Sequence, residues 1–172
     1  ICPSDIELDG SEWSTSVDLQ KYLLRRIEES LNGAKHKWDK LNLEHLAPQN
    51  PAVGDDYWFQ AVGKKDPDSE NDRGYDSYCR SWGNVTLLEE KLNKSIQNNQ
   101  WPIKLSGLST NFGISKSGFQ MNEEIKNSKV WTRSEIEIRG QWMLDCAKIL
   151  TGSTWIENGT CQIPKLNLGA IS

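Results

Sequence analysis

The amino-acid sequence predicts an α+β domain in which two short strands lie among several helices. Apolar residues recur at helical spacing within residues 14–33 and 131–150. Between these segments, LNLEHL at residues 41–46 and WGNVTLL at residues 82–88 have strand character. A chain of 172 residues with eight tryptophans can also bury a sizeable core. We therefore expect one compact domain.

The first helix is signalled at both of its ends. Residues 14–16 are Ser-Thr-Ser, whose hydroxyls can accept hydrogen bonds from the first free N–H groups of a helix. Asn32 and Gly33 favour a stop at the other end. The apolar positions between them are Val17, Leu19, Leu23, Ile27 and Leu31.

The two predicted strands are short, and each continues into a different kind of segment. In LNLEHL, apolar and polar residues alternate until Pro48 ends the pattern. WGNVTLL runs directly into EEKLNKSIQNN, where Glu89 and Glu90 favour the start of a helix by complementing its N-terminal dipole. Residues 63–75 are polar and rich in turn formers, so we expect an exposed insertion there.

The last long helix begins with a capping box, because Thr132 lies three residues before Glu135. Residues 107–118 are rich in serine and glycine and predict a loop. Weak strand character recurs at residues 155–156 and 161–163. We expect most of the tryptophans to lie in the core, although base stacking is the alternative for those near a site.

The charge balance limits how this chain could bind nucleic acid. Its net charge of −4 excludes a polycation that coats DNA. A DNA-binding protein of this composition would need a local basic face. The basic residues between positions 104 and 133 offer one candidate, and an ordinary solvated surface explains them equally well.

Cysteine usage and hydropathy suggest a reducing compartment and no membrane span. The four cysteines are scattered and form no C-x-x-C pair, so we expect buried free thiols in the cytoplasm, with two disulfides as the alternative. No apolar run approaches the ~20 residues that cross a bilayer. The chain starts at Ile1 without a methionine or a signal-like segment, so we expect it to be part of a longer protein.

Four polar residues form a candidate site for cutting a phosphodiester. Glu44 and His45 adjoin at the end of the first strand, Asn84 precedes the second, and Asn93 lies on the following helix. A neutral imidazole can take a proton from water. A divalent cation on oxygen ligands can neutralise phosphoryl charge and assist the leaving oxygen. Glu44 and Asn93 could supply those oxygens, while Asn84 could orient the imidazole.

Each of these residues also has an ordinary structural interpretation. A strand histidine is more often structural than catalytic, Gly-Asn is a common turn, and a helical asparagine usually faces solvent. Neighbours on an ideal strand point to opposite faces, so Glu44 and His45 converge only if the chain bends, as Pro48 favours. The ordered combination of these residues is less easily accidental than any one of them.

The motifs resemble those of one nuclease family. EHLAPQN, GNVTLL and LNKSIQN are followed by Trp101 and Lys104, and later by Trp131, Ile136 and Arg139. In order and spacing this set is similar to the HNH nuclease domain in the C-terminal part of GmrSD-type modification-dependent restriction enzymes. The similarity spans about residues 41–150. One departure is that Asn98 stands where the final histidine of the HNH name would be.

The resemblance implies a ββα-metal core (HNH, or His-Me finger) with a short two-stranded β-hairpin, embedded in additional helices. It implies His45 as general base, Asn84 as the residue that positions it, and Glu44 and Asn93 as ligands of Mg²⁺ or Mn²⁺. We also expect four residues to contact nucleic acid: Lys94, Asn98, Lys104 and Arg139. For Arg139 a bridge to a carboxylate is the alternative.

The resemblance also bears on organisation and partners. We expect an N-terminal helical extension over residues 1–40, the nuclease core over residues 41–150, and a tail packed on the core over residues 151–172. Full-length relatives imply an N-terminal NTP-hydrolysing sensing domain or subunit as a partner, besides DNA.

The resulting functional prediction is a metal-dependent DNA endonuclease domain that restricts foreign or modified DNA. The main alternative is a catalytically inactive DNA-binding or interaction module that retains the nuclease fold. A merely structural domain would explain the tryptophans but not the ordered polar residues.

Overall fold

The structure is a computed structural model that describes residues 17–32, 38–64, 74–108, 112–151 and 165–168. Two strands and seven α-helices lie in these ranges. The strands are β1 (Leu41–His45) and β2 (Val85–Glu89). The helices are α1 (Val17–Asn32), α2 (Tyr57–Val62), α3 (Gly74–Arg80), α4 (Glu90–Ile96), α5 (Trp101–Ser106), α6 (Glu123–Asn127) and α7 (Arg133–Thr151). The described part contains no helix that is both long and apolar enough to cross a membrane.

The two strands form one antiparallel sheet, so the predicted α+β class is confirmed. Leu41 pairs with Glu89 at one end of the sheet, and His45 pairs with Val85 at the other. The chain between the strands passes through α2, α3 and a 3₁₀ turn at Trp82–Asn84. The strands are therefore not joined by a tight hairpin turn, and the expectation of a short hairpin was wrong in that respect. Helix α4 follows β2 without an intervening loop and packs on both strands.

The core lies around the sheet and the inner faces of α1 and α7. Strand β2 is buried from Val85 to Leu88. The side chains of Val85 and Leu87 are completely covered. Helix α1 packs on both strands and on α7, and it buries Leu24 and Ile27. Helix α1 thus shares the core of the segment that follows it.

Tryptophans supply much of this core, as the sequence predicted. Five of the described tryptophans are at most 7% exposed: Trp58, Trp82, Trp101, Trp131 and Trp142. Trp101 and Trp131 stack with ring centroids 5.1 Å apart. Their indole N–H groups donate to Ser128 O and to the side-chain oxygen of Asn84, so each buried polar edge is satisfied.

The elements with the clearest apolar periodicity or end signals in the sequence are present in the structure. The first and last helices, both strands and α4 all lie where they were expected. One half of the predicted capping box forms: the Glu135 carboxylate accepts the Thr132 backbone N–H at 2.8 Å, and the Thr132 hydroxyl donates to the same carboxylate. The helices α2, α3, α5 and α6 were not predicted, because five to seven residues show little helical periodicity. Helix α4 is equally short and was predicted from Glu89 and Glu90 at its start.

Cys79 and Cys146 are buried free thiols, as expected. Cys2, Cys161, the predicted N-cap at residues 14–16 and the weak strands after Gly152 lie outside the described residues. Most of the predicted insertion, residues 65–73, lies outside them too.

Helix α7 and the 3₁₀ turn before β2 meet backbone to backbone. Arg139 is fully buried, and its Nη1 donates to the carbonyl oxygens of Gly83 at 3.0 Å and Val85 at 2.6 Å. Burial lowers the pKa of Arg139 to about 9. A Cβ added at Gly83 would lie 1.8 Å from the carbonyl oxygen of Ile136. Only glycine permits this approach, which places the start of β2 against α7.

We predict that Gly83→Ala lowers the free energy of unfolding by about 3 kcal/mol or more, because the added methyl would overlap rigid helix backbone. Gly140→Ala is the matched control on the facing helix. Its Cβ would lie 3.6 Å from the Gly83 nitrogen, an ordinary contact, and alanine favours a helix interior over glycine by about 1 kcal/mol. Urea unfolding of both variants checks this, and equal destabilisation by the two would contradict it.

Candidate active site

Five of the eight predicted site residues border a polar cleft at the end of β1, beside α4. The cleft consists of two adjoining depressions that share Glu44 and Asn98. His45 lines one depression, and Asn93 and Lys94 line the other. The remaining lining residues are Pro48, Gln49, Asn50 and Gln97.

Glu44 and His45 both reach this cleft although they are strand neighbours. His45 is the last residue of β1, and the chain bends directly after it. Side chains alternate only within regular strand, so a residue at the strand end can turn toward its neighbour's face. Glu44 and His45 therefore border the same depression, as we expected of a chain that bends near Pro48.

Glu44 is paired with a buried lysine. Lys104 on α5 is fully buried, and its Nζ donates to Glu44 Oε1 at 2.6 Å and to the backbone oxygen of His45 at 2.7 Å. Burial raises the pKa of Glu44 and lowers that of Lys104, and the attraction between the two groups opposes both shifts. The side chain of Glu44 keeps 12% exposure, through which it borders the cleft.

The His45 imidazole is neutral at physiological pH. Burial, followed by the charges of Lys104 and Arg80, lowers its pKa to about 4. Its Nε2 lies 3.1 Å from the side-chain nitrogen of Gln49; an amide nitrogen donates, so this contact uses the Nε2 lone pair and orients the ring. The imidazole could accept a proton from a water that takes the place of the Gln49 N–H at Nε2.

The side chain of Asn84 makes no hydrogen bond to the imidazole, because its four bonds go to other described residues, so the predicted direct role in positioning His45 is corrected. Its side chain is fully buried, and its Nδ2 donates to the carbonyl oxygens of Ala47 and Cys79, each at 2.8 Å. Its Oδ1 accepts the N–H of Ala47 at 2.8 Å and the indole N–H of Trp131 at 3.0 Å. Asn84 therefore fixes the backbone just after His45, using all four hydrogen-bonding positions of its amide.

The four residues predicted to contact nucleic acid divide into two pairs. Lys94 and Asn98 are exposed at the cleft; Lys94 pairs with Glu90, and Asn98 donates to the carbonyl oxygen of Asn50 at 2.8 Å. Lys104 and Arg139 are both 0% exposed. Their charges meet a carboxylate and backbone carbonyls inside the protein, so the prediction that they contact DNA does not fit the structure. The alternative for Arg139, a bridge to a carboxylate, is not seen either: its Nη1 meets backbone carbonyls.

Sequence reasoning missed three residues of the site. Gln49 lies within the quoted EHLAPQN motif, so its motif position was the available signal. Arg80 is exposed and lies near enough to His45 to lower the pKa of the imidazole. Gln97 ends α4 with a φ of 41°, the one positive value among the described residues other than glycine. Such strained backbone often occurs at functional sites. Gln97 lies within the quoted LNKSIQN motif, which was the available signal, whereas nothing in the sequence marks Arg80.

A more enclosed depression lies between α3 and α7 and has a different character. It is lined in part by Tyr78, Trp82 and Glu137. The hydroxyl of Tyr78 donates to the Glu137 carboxylate at 2.8 Å, so these two groups are engaged with each other. None of the described residues that line this depression is a histidine, so we place the candidate active site at the first cleft.

The donors at the cleft are of the kind that hard divalent cations prefer. Glu44 offers a carboxylate and Asn93 an amide oxygen, and both border the same depression. Mg²⁺ characteristically binds through one or two carboxylates and keeps several waters, so the donor set fits such an ion. Within the described ranges no cluster of three or more His, Cys, Asp or Glu side chains could hold a metal. A site here would therefore rely on the amide and on water.

The structure is thus an α+β domain in which a carboxylate, a neutral imidazole and amides are grouped at a strand end. Comparison with known families shows to which family such a domain belongs. The family model for the C-terminal domain of GmrSD restriction endonucleases matches residues 6–146. The chain belongs to this family, as the motifs predicted, and the membership indicates a nuclease domain. No curated protein and no solved structure shows significant similarity to the chain.

We predict that Asn84→Ala lowers the free energy of unfolding by about 3 kcal/mol or more, because it leaves several buried backbone groups unpaired. Asn98→Ala removes a single exposed hydrogen bond and should cost less than about 1 kcal/mol. Thermal and urea unfolding of the two variants provide the measurement. Similar losses from both asparagines would show that Asn84 is not the clamp we describe.

Proposed function

We propose that this domain is an HNH-type endonuclease with a ββα-metal core that cleaves DNA phosphodiesters with one metal ion. In this proposal His45 is the general base, and Glu44 and Asn93 hold Mg²⁺ or Mn²⁺. The observation that carries the proposal is that Glu44, His45 and Asn93 border one cleft in a member of a restriction endonuclease family.

The chain's own residues would each take a separate part of the chemistry. His45 would accept the proton from the attacking water at Nε2, once that water displaces the Gln49 N–H; its lowered pKa keeps the ring unprotonated at neutral pH. Gln49 orients the imidazole, and Asn84 fixes the backbone after His45. Lys104 holds Glu44 in place. A bound divalent cation would supply charge neutralisation at the phosphoryl and leaving oxygens.

DNA contact would come from a local set of polar and basic groups. Lys94 and Asn98 are exposed at the cleft, and Arg80 is exposed near His45. A chain of net charge −4 repels DNA as a whole, so these groups must act at close range. We infer that they position the phosphate rather than read base sequence.

The biological setting is inferred from the family. We propose that the domain acts in the cytoplasm against foreign or modified DNA, together with an NTP-hydrolysing sensing domain or subunit. The sequence divisions at residues 40 and 151 remain proposals about how the chain is organised around the nuclease core.

A second candidate function is a catalytically inactive module that binds DNA or a protein. The observation in its favour is that Lys104 already provides a positive charge to Glu44, the proposed metal ligand. Such a module would bind DNA with a salt-dependent affinity and would not cleave it with any divalent cation.

We predict that His45→Ala reduces the rate of plasmid nicking in Mn²⁺ by at least about 10²-fold, the usual effect of removing a general base. His36, the only other histidine of the chain, supplies the control His36→Ala, which should nick at the wild-type rate. Equal nicking by wild type and His45→Ala would exclude His45 as the base. Absence of cleavage by the wild type with Mg²⁺ and Mn²⁺ would favour the inactive module.

We predict that Lys94→Ala weakens DNA binding and lowers the slope of log affinity against log salt by about 1, because it removes one phosphate contact. Lys91 lies on the same helix, is exposed and does not line the cleft. Lys91→Ala should therefore leave both the affinity and the slope nearly unchanged. Fluorescence anisotropy at several salt concentrations measures both quantities, and identical curves for the two variants would remove Lys94 from the DNA-binding surface.

A further inference from the structure

Lys104 is in an unusual position for a lysine. It is fully buried, and its ammonium contacts both residues at the end of β1, through Glu44 Oε1 at 2.6 Å and the His45 backbone oxygen at 2.7 Å. Lysine is rarely buried without a partner of opposite charge. Glu44 is that partner, so the two groups depend on each other for charge compensation.

This contact leaves the two carboxylate oxygens of Glu44 unequal. Oε1 is occupied by the ammonium, whereas Oε2 receives no hydrogen bond from the described residues. A cation that bound both oxygens would have to share Oε1 with Lys104 and approach its positive charge closely. Because like charges repel more strongly at shorter distance in a partly buried site, ligation through Oε2 alone is favoured.

Cations differ in how much binding free energy they lose when only one oxygen of Glu44 is available. Ca²⁺ takes six to eight oxygen ligands and commonly binds a carboxylate through both oxygens, whereas Mg²⁺ is octahedral and accepts one carboxylate oxygen together with water. Among the described residues that line the cleft, Glu44 is the one carboxylate. The described part of the cleft therefore offers Ca²⁺ no second carboxylate as a ligand.

We infer that Lys104 restricts Glu44 to a single metal-binding oxygen and thereby selects small octahedral cations, such as Mg²⁺ and Mn²⁺, against Ca²⁺. This inference rests on the proposed function, because it takes Glu44 as a metal ligand. Lys104 is then a specificity-determining residue that touches neither the metal nor the DNA. Its effect is measurable as a ratio of affinities, independently of catalysis.

The test is equilibrium binding of Mn²⁺ to the full chain, followed by the paramagnetic resonance signal of the free ion, with Ca²⁺ as competitor. In the wild type, displacement of Mn²⁺ should require Ca²⁺ in at least about tenfold excess. Lys104→Met keeps the aliphatic side chain and removes the ammonium, so the preference for Mn²⁺ over Ca²⁺ should fall by about tenfold. Lys91→Met is the matched control at an exposed position and should leave the preference unchanged.

The outcomes separate this inference from the proposed function. Glu44→Gln should abolish Mn²⁺ binding; unchanged binding by this variant, or none by the wild type, would overturn the ligand assignment and with it the proposed function. Loss of binding in Glu44→Gln together with an unchanged ratio in Lys104→Met would overturn the role of Lys104 alone. If circular dichroism shows that Lys104→Met is unfolded, the wild-type competition decides, because displacement of Mn²⁺ by equal Ca²⁺ contradicts the inference.

Discussion

The arrangement of the cleft depends on one buried amide. Asn84 makes hydrogen bonds with both backbone polar groups of Ala47, with the carbonyl of Cys79 and with the indole of Trp131. These partners belong to the loop after β1, to α3 and to the segment before α7. Since every hydrogen-bonding position of this fully buried amide is used, no other side chain of similar size could replace it. The loop after His45 is therefore fixed from within.

The neighbouring turn is fixed from the other side by α7. Gly83 lets the helix backbone approach, and Arg139 donates to the carbonyls of Gly83 and Val85. A buried guanidinium is costly: Nη1 meets these carbonyl oxygens, whereas Nε and Nη2 have no hydrogen-bond partner among the described residues. The clamp of Asn84 and the contact with α7 together set where β2 begins, and its pairing with β1 then places Glu44 and His45 beside α4.

Charge in the cleft is arranged around a single carboxylate. Lys104 approaches Glu44 from the protein interior, while the opposite side of the carboxylate borders the cleft. Burial is the largest cause of the low pKa of His45, and the charge of the same ammonium is the next. One buried cation thus holds the proposed metal ligand and helps to keep the proposed base neutral. That coupling explains why a lysine that cannot reach DNA accompanies the motif residues.

Much of the site could be predicted from sequence because its residues occur in ordered local motifs. Glu44, His45 and Asn93 border one cleft, while their chemical roles stay predictions. The long helices and both strands were predicted from periodicity and end signals. The partners of Asn84 could not be predicted, since its contacts with Ala47 and Trp131 join residues 37 and 47 positions apart. The burial of Lys104 was missed for a similar reason: lysine is usually exposed, and only the folded chain brings α5 against the end of β1.

The proposed function depends above all on Glu44 and Asn93 ligating one ion within reach of His45. Anomalous diffraction from crystals of the protein grown with Mn²⁺ tests this most directly. We expect one anomalous peak in the cleft, with oxygens of both Glu44 and Asn93 within about 2.0–2.6 Å of it. A peak that contacts neither residue, or a cleft without a peak while Mn²⁺ binds elsewhere, would contradict the ligand assignment.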